Sequence, residues 1–180
     1  MKIVLKQSFF ARPAPDVAPD LLGKFLVRSI EGREVAHMIT ETEAYEGLDD
    51  RASHASGGRT KRTEVMFGEP GYWYVYLIYG MYDMLNIVTA EIGHPSAVLI
   101  RGLNGINGPG RLTKQLNITR EYNAVAASPN TGLWIEDRGV VVSAQEIVKS
   151  ARIGVDYAGP EWAAKEWRFV YEHKPVRRST

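Results

Sequence analysis

Glu43 and Tyr45 are the residues of this chain best placed to do chemistry. Both lie in Thr40-Glu41-Thr42-Glu43-Ala44-Tyr45, a stretch that reads as a β-strand. Side chains alternate along a strand, so Glu43 and Tyr45 point to one face. There a flat aromatic wall can stack on a planar group while the carboxylate works on a bond at its edge. Further along runs Tyr72-Trp73-Tyr74-Val75-Tyr76-Leu77-Ile78-Tyr79-Gly80-Met81-Tyr82, a richer aromatic segment. Together the two segments point to a site for a nucleobase.

Glu41 shares the parity of Glu43. Same-face strand neighbours lie about 6–7 Å apart, the scale of paired carboxylates in inverting glycoside hydrolases. Either both carboxylates are solvated, or Glu43 stands in a partly apolar pocket. Val35, His37 and Ile39 fall on the same face if alternation is unbroken. A carboxyl among apolar neighbours has a raised pKa and can act as a general base.

The aromatic run divides into Tyr72, Tyr74 and Tyr76 on one face and Trp73, Val75 and Leu77 on the other. It is either a strand buried on both sides or a surface that uses the tyrosine hydroxyls, since Phe or Leu would fill a core without needing a partner. Tyr79-Gly80-Met81 falls at the tip of a predicted hairpin and fits a wedge of the kind pushed between base pairs. Asn86 and Arg101 sit among apolar neighbours, where each needs a partner, and Glu43 is the obvious carboxylate for Arg101. Asn107-Gly108-Pro109-Gly110-Arg111-Leu112 opens a helix. Its free N–H groups could hold a phosphate, or the glycines could simply make the turn. No Gly-Lys-Ser/Thr follows, so it is not a nucleotide-binding P-loop.

The elements that must carry these residues can be read from pattern. Residues 16–22 read as a short helix with Asp16 as N-cap and Gly23 as stop. Residues 24–30 and 33–45 read as strands around a Glu31-Gly32 turn. Residues 46–63 are rich in Gly, Ser and charge and read as a long loop. Residues 72–78 and 85–89 form the hairpin strands, and 97–101 a further strand. A helix follows over 110–117, then short strands over 133–135 and 140–142, then a helix over 161–168. Many strands with scattered helices give an α+β domain on a largely antiparallel sheet.

Composition sets the bounds. At 180 residues, with no linker or repeat, the chain is expected to form one domain over residues 1–180. There are no cysteines, which removes disulfides, thiolate metal sites and cysteine nucleophiles. No apolar run approaches the roughly 18–20 residues of a membrane span, and the N-terminus does not read as a signal peptide. A cytoplasmic protein without a membrane partner is expected. His37, His54, His94 and His173 show no metal-ligand spacing, so neither metal nor cofactor is expected. The net charge of +1 carries little information. Its distribution carries more: Arg51, Arg59, Lys61 and Arg62 crowd one stretch, and Lys174, Arg177 and Arg178 crowd the C-terminus. Such blocks are solvated surface or phosphate-facing charge.

On residues alone three chemistries stay open: hydrolysis at a nucleobase, a base-holding module without turnover, and a carbohydrate hydrolase using Glu41 and Glu43. The basic stretch and the aromatic tip disfavour the third.

The segments taken in order resemble the alkyladenine (3-methyladenine) DNA glycosylases of the mammalian type, in the compact form found in bacteria. The matching stretches are Leu21-Leu22-Gly23-Lys24, Leu26-Val27-Arg28, Glu41-Thr42-Glu43-Ala44-Tyr45, His54, Gly57-Gly58-Arg59, Met66-Phe67 and Pro70-Gly71. Tyr74-Val75-Tyr76-Leu77-Ile78-Tyr79-Gly80-Met81 is the most specific. Ala97-Val98-Leu99-Ile100-Arg101, Gly108-Pro109-Gly110-Arg111-Leu112-Thr113-Lys114 and Arg152-Ile153-Gly154-Val155-Asp156-Tyr157-Ala158-Gly159 complete the set.

The resemblance implies a curved sheet with peripheral helices and a protruding, DNA-intercalating hairpin. It implies a monomeric, monofunctional enzyme that flips alkylated or deaminated purines out of duplex DNA. The lesions would be of the 3-methyladenine, hypoxanthine and ethenoadenine type, and cleavage of the N-glycosidic bond would begin base excision repair. By the same resemblance Glu43 is the general base that activates water against C1′, and Arg101 helps hold that water. Tyr45, His54 and Tyr76 wall the base pocket, and Asn86 discriminates against the amino group of guanine. Tyr79, with Met81 beside it, fills the gap in the duplex. Arg59, Gly110 and Arg111 are the candidate phosphate contacts. In a bacterium the enzyme would be associated with the nucleoid. The chain departs from the family pattern over residues 170–180, which leaves C-terminal contacts unassigned.

Overall fold

Fourteen consecutive residues, Arg33–Glu46, form the longest strand, and the rest of the sheet is arranged around it. The structure is a computed structural model and describes residues 1–172. In chain order the first strands are β1 (Ile3–Val4), β2 (Phe25–Ile30), β3 (Arg33–Glu46), β4 (Trp73–Ile78) and β5 (Tyr82–Val88). The remainder are β6 (Ser96–Leu103), β7 (Ile106–Asn107), β8 (Leu133–Asp137), β9 (Ile147–Ser150) and β10 (Arg168–Tyr171). They make a largely antiparallel, unclosed sheet in the order β1-β8-β2-β3-β6-β5-β4. With α1 (Gln7–Phe10), α2 (Ala14–Asp20), α3 (Pro109–Gln115) and α4 (Pro160–Ala163), the architecture is α+β.

β3 works in two halves. Its first half pairs with β2 across the Glu31-Gly32 turn, where both residues adopt positive φ (50° and 77°) as a tight two-residue connection requires. Its second half pairs with β6 on one edge and β10 on the other. Between the halves the register with β6 shifts on either side of Glu41. Unbroken alternation from Val35 to Glu43 therefore fails. Ile39 joins the main core together with Ala44, while Glu43 turns away from it. The apolar company of Glu43 comes from neighbouring strands instead.

The core fills the side opposite the site. Trp73, Leu85, Ile87, Val98, Ile100 and Leu103 of the sheet meet Val17 of α2, Leu21 at its C-cap and Leu112 of α3. Each such side chain contributes about 1.5–3 kcal/mol on burial. Thr42 donates its hydroxyl to the Ala18 carbonyl at 2.9 Å, tying α2 to β3.

Several predicted boundaries move for physical reasons. α2 begins after Pro13, and Asp16 lies in its first turn rather than at its cap. The cap is supplied from outside: Glu46 Oε2 accepts from the Ala14 N–H at 2.5 Å. Residues 140–142 form no strand. Val140 and Val142 pack against the core, and a Cβ on Gly23 would meet the Val142 side chain at 2.7 Å. The helix expected over 161–168 is only α4, because Arg168 is drawn into β10 beside β3. Between them Trp162 and Trp167 meet edge to face at 6.0 Å, with Lys165 over both rings. β9 was not expected from sequence. The stretch 46–63 is not an open loop: it includes a 3-10 helix, His54–Gly57, capped by the Ser53 hydroxyl. Lys174, Arg177, Arg178 and His173 lie outside the described residues.

β4 and β5 pair antiparallel from Trp73↔Ile87 to Ile78↔Tyr82, joined by Tyr79, Gly80 and Met81. Tyr79 and Gly80 make the turn at φ 53° and 68°. α3 braces this pair from one side, with Thr113 donating to the Asp83 carbonyl at 2.9 Å. Among the described residues no helix is long and apolar enough to cross a membrane.

The closest approach in this bracing is at Gly110, where a Cβ would fall 2.8–3.0 Å from three atoms of Tyr82, including its Cβ. That root of the side chain cannot swing away. Gly110→Ala is expected to lower the unfolding free energy by about 1–2 kcal/mol, overpacking outweighing the gain in helix propensity. Urea denaturation checks it, and an unchanged or raised midpoint would refute the packing argument.

Candidate active site

One cross-strand row sets out the site. Glu43 on β3 is opposite Leu99 on β6, Leu99 is opposite Asn86 on β5, and Asn86 is opposite Tyr74 on β4. Residues in register project to the same face, so four strands deliver a carboxylate, an aliphatic floor, an amide and a phenol side by side. Tyr45, Tyr76 and Arg101 follow by alternation. His54 enters from its 3-10 helix, and Ile153 and Tyr157 from the segment before α4. All of these side chains except Glu43 border a cleft of about 670 Å³.

Glu43 has no solvent exposure. Its Oε1 accepts the Ile153 N–H at 2.8 Å. Its Oε2 accepts the Tyr45 hydroxyl at 2.9 Å and Arg101 Nη1 at 3.4 Å. Burial pushes its pKa up, against the opposing pull of Arg101, the Ile153 N–H and the Tyr45 hydroxyl. The carboxylate stands behind Tyr45, Arg101 and Ile153, which themselves line the cleft. Glu41 completes the charge pattern, accepting from Arg101 Nε at 3.2 Å and from Arg168 Nε at 2.6 Å. Such an arrangement can take up a proton when one donor gives way to water.

The walls are aromatic and neutral. The Tyr74 and Tyr76 rings lie 5.3 Å apart, and His54 stands nearly perpendicular to Tyr76 at 4.6 Å. His54 Nδ1 is 3.1 Å from the Tyr74 hydroxyl, and Nε2 is 3.3 Å from Arg62 Nη2. Burial, reinforced by Arg62, lowers the His54 pKa to about 4. A guanidinium can only donate, so Nε2 accepts, and the neutral ring carries its proton on Nδ1 toward Tyr74. Burial also raises the pKa of the Tyr45, Tyr74 and Tyr76 hydroxyls, which stay protonated. Asn86 donates Nδ2 to the Tyr74 and Met84 carbonyls at 3.0 and 3.2 Å.

The structure thus brings together Glu43, Arg101, Tyr45, His54, Tyr76 and Asn86. Tyr79 is 82% exposed at the cleft edge, and Met81 is 69% exposed on the same turn. Arg59 and Arg111 are exposed and outside the cleft lining, and Arg59 lies 4.7 Å over Phe67. Gly110 is required by the Tyr82 ring, whatever else it does. Among the described residues no group of His, Asp and Glu is set to hold a metal ion.

Sequence reasoning missed the pair that braces the site. Arg152 and Asp50, both without solvent exposure, meet at 2.6 Å. Arg152 also donates to the Ala44 carbonyl at 2.9 Å and lies between Tyr45 and Trp167, 4.8 and 5.1 Å from their centroids. Asp50 in turn accepts the N–H groups of Glu46 and Ala52. Arg152 stands next to Ile153, so the pair positions the N–H that caps Glu43. No local pattern links positions 50 and 152. Arg62 was also passed over, as one cation among four in a basic stretch.

The sequence profile of the methylpurine-DNA glycosylase (MPG) family matches residues 8–107 and 103–175. A protein of Methanocella arvoryzae named as a proposed 3-methyladenine DNA glycosylase is 45% identical, covering 96% of this chain and 94% of its own. One of Anaeromyxobacter dehalogenans with the same designation is 47% identical over 92% and 82% of the two chains. One of Ehrlichia ruminantium is 43% identical over 93% and 88%.

Two outcomes follow. Asp50→Asn leaves the Arg152 charge buried without its partner and is expected to cost about 3–5 kcal/mol, read from urea denaturation. A loss within the range of a surface substitution would mean that the pair is dispensable. The second concerns pH. The Glu43 pKa is raised in the fold above its ordinary 4.5, so the native state binds this proton more tightly than the unfolded chain. Its stabilising contribution is full below the unfolded value and lost as pH rises through the folded one. Glu43→Gln escapes that loss. The variant's unfolding free energy relative to wild type should therefore rise as pH increases above the ordinary carboxylate value of 4.5. A flat or falling difference would contradict a raised pKa.

Proposed function

Since the chain belongs to the methylpurine-DNA glycosylase family, a family of enzymes that hydrolyse N-glycosyl bonds in DNA, we propose that its cleft receives a damaged purine flipped from duplex DNA. The observation that carries this reading is the fully buried Glu43 carboxylate behind an aromatic slot, in one cross-strand row with Asn86 and Tyr74. The purine stacks against Tyr45 and Tyr76, with neutral His54 at its edge. Asn86 meets its hydrogen-bonding edge and tests for the amino group of guanine. Tyr79, helped by Met81, enters the gap left in the duplex. Unstacking costs a few kcal/mol, least for a damaged or mispaired base. Arg59, Gly110 and Arg111 contact flanking phosphates.

Chemistry follows when water reaches Glu43 between Tyr45, Arg101 and Ile153. The bond from C1′ to the purine nitrogen breaks, its electron pair leaving with the base. Water oxygen bonds to C1′, and Glu43 accepts the proton that water sheds. Arg101 holds the water and steadies the carboxylate it serves. A cationic lesion such as 3-methyladenine leaves readily, whereas hypoxanthine or ethenoadenine leaves better once a ring nitrogen is protonated. Among the described residues no lysine lines the cleft, which supports water rather than an amine as nucleophile. The product is an abasic site, the entry to base excision repair.

The test is single-turnover release of hypoxanthine from an inosine-containing duplex and of 3-methyladenine from a freshly alkylated one. Glu43→Gln is expected to slow release by at least about a hundredfold, the lower end of general-base contributions, while lesion binding persists. Near-normal release by the variant would remove Glu43 from the chemistry. Tight lesion binding by wild type without release of either base would favour a base-holding module.

A further inference from the structure

The carboxylates beside the cleft each face a cation. Glu41 and Glu43 face Arg101 and Arg168, and Asp50 faces Arg152. Arg62 has no carboxylate partner among the described residues. Its guanidinium lies 4.9 Å over the Tyr76 ring and 3.3 Å from His54 Nε2. Both rings line the cleft, whereas Arg62 packs on them without lining it. Arg51 also borders the cleft, but no ring contact holds it there.

We propose that Arg62 is a specificity residue, whose fixed positive charge on the Tyr76–His54 wall biases the base slot against cationic purines and toward neutral ones. This rests on the glycosylase reading. An aromatic slot left to itself favours cations, because ring faces carry negative potential. Arg62 counters that preference. It already occupies one approach to the Tyr76 face, and a cationic base against the same wall meets a like charge. The hydrogen bond to Nε2 adds to the effect by keeping His54 neutral and its wall fixed. Arg62 is exposed, so water and salt weaken the repulsion without removing it.

The experiment compares single-turnover release of 3-methyladenine, cationic in DNA, with release of hypoxanthine, neutral in DNA, under saturating enzyme. It uses wild type, Arg62→Gln and Arg62→Lys. Glutamine keeps a donor for His54 Nε2 and loses the charge, while lysine keeps the charge and loses the planar stack. Arg62→Gln is expected to raise the cationic-to-neutral rate ratio by about three- to tenfold, an effect that shrinks as salt is added. Arg62→Lys should stay near wild type. In parallel, the His54 titration followed by NMR should move up in Arg62→Gln. An unchanged ratio in Arg62→Gln, or an equal shift in both variants, overturns the proposal. Failure of wild type to release either base would sink the glycosylase reading, and this inference with it.

Discussion

The Glu43 carboxylate lies wholly out of water, and its oxygens are held by donors from three separate parts of the chain. An ionised carboxyl without water must find donors or give up its charge. Here it has three donors and still titrates above its ordinary range. Much of the architecture serves this compromise. β6 must lie beside β3 to bring Arg101, and residues 151–158 must fold back over β3 to present the Ile153 N–H. The result is a titratable carboxylate held out of water directly behind the cleft lining.

What secures the returning segment is a second desolvated ion pair. Arg152 is held by Asp50, by two backbone carbonyls and by the faces of Tyr45 and Trp167. Buried pairs add little stability over well-packed apolar groups, but a pair with one member removed is severely destabilising. Its value here is positional: it fixes the stretch next to Glu43 to the turn that follows β3. The aromatic wall follows a different rule. Three tyrosines and a histidine stay uncharged through burial, so the slot presents ring faces and hydroxyls rather than ions. Arg62 then imposes a charge on that wall from the surface.

Much of this was legible in the sequence. β2, β3 and the Glu31-Gly32 turn lie close to the positions that alternation and turn chemistry predict, and so does the pairing of the aromatic strand with the one after it. Those features depend on neighbours in sequence. Errors arose where distant groups intervene. The cap of α2 comes from Glu46, Arg168 leaves the expected helix for a place beside Glu41, and residues 140–142 find a core but no partner strand. Unbroken alternation puts Val35, His37 and Ile39 on the face of Glu43. The irregularity at Glu41 sends Ile39 to the core, and Leu99 from β6 takes its place.

The sequence by itself determined the chemical inventory: a carboxylate two residues from a tyrosine, an aromatic strand ending in an exposed turn, and an isolated Asn and Arg on the strands that follow. Those are properties of residue type and short spacing, which the chain carries before it folds. Only the tertiary structure decided which of two equivalent glutamates is sealed from water, that Asp50 finds Arg152, and that Arg62 among four neighbouring cations packs on Tyr76 and His54. Each of these depends on register across strands and on contacts spanning long stretches of chain. Burial, hydrogen bonding and charge at such contacts have values only once the distant partner is in place.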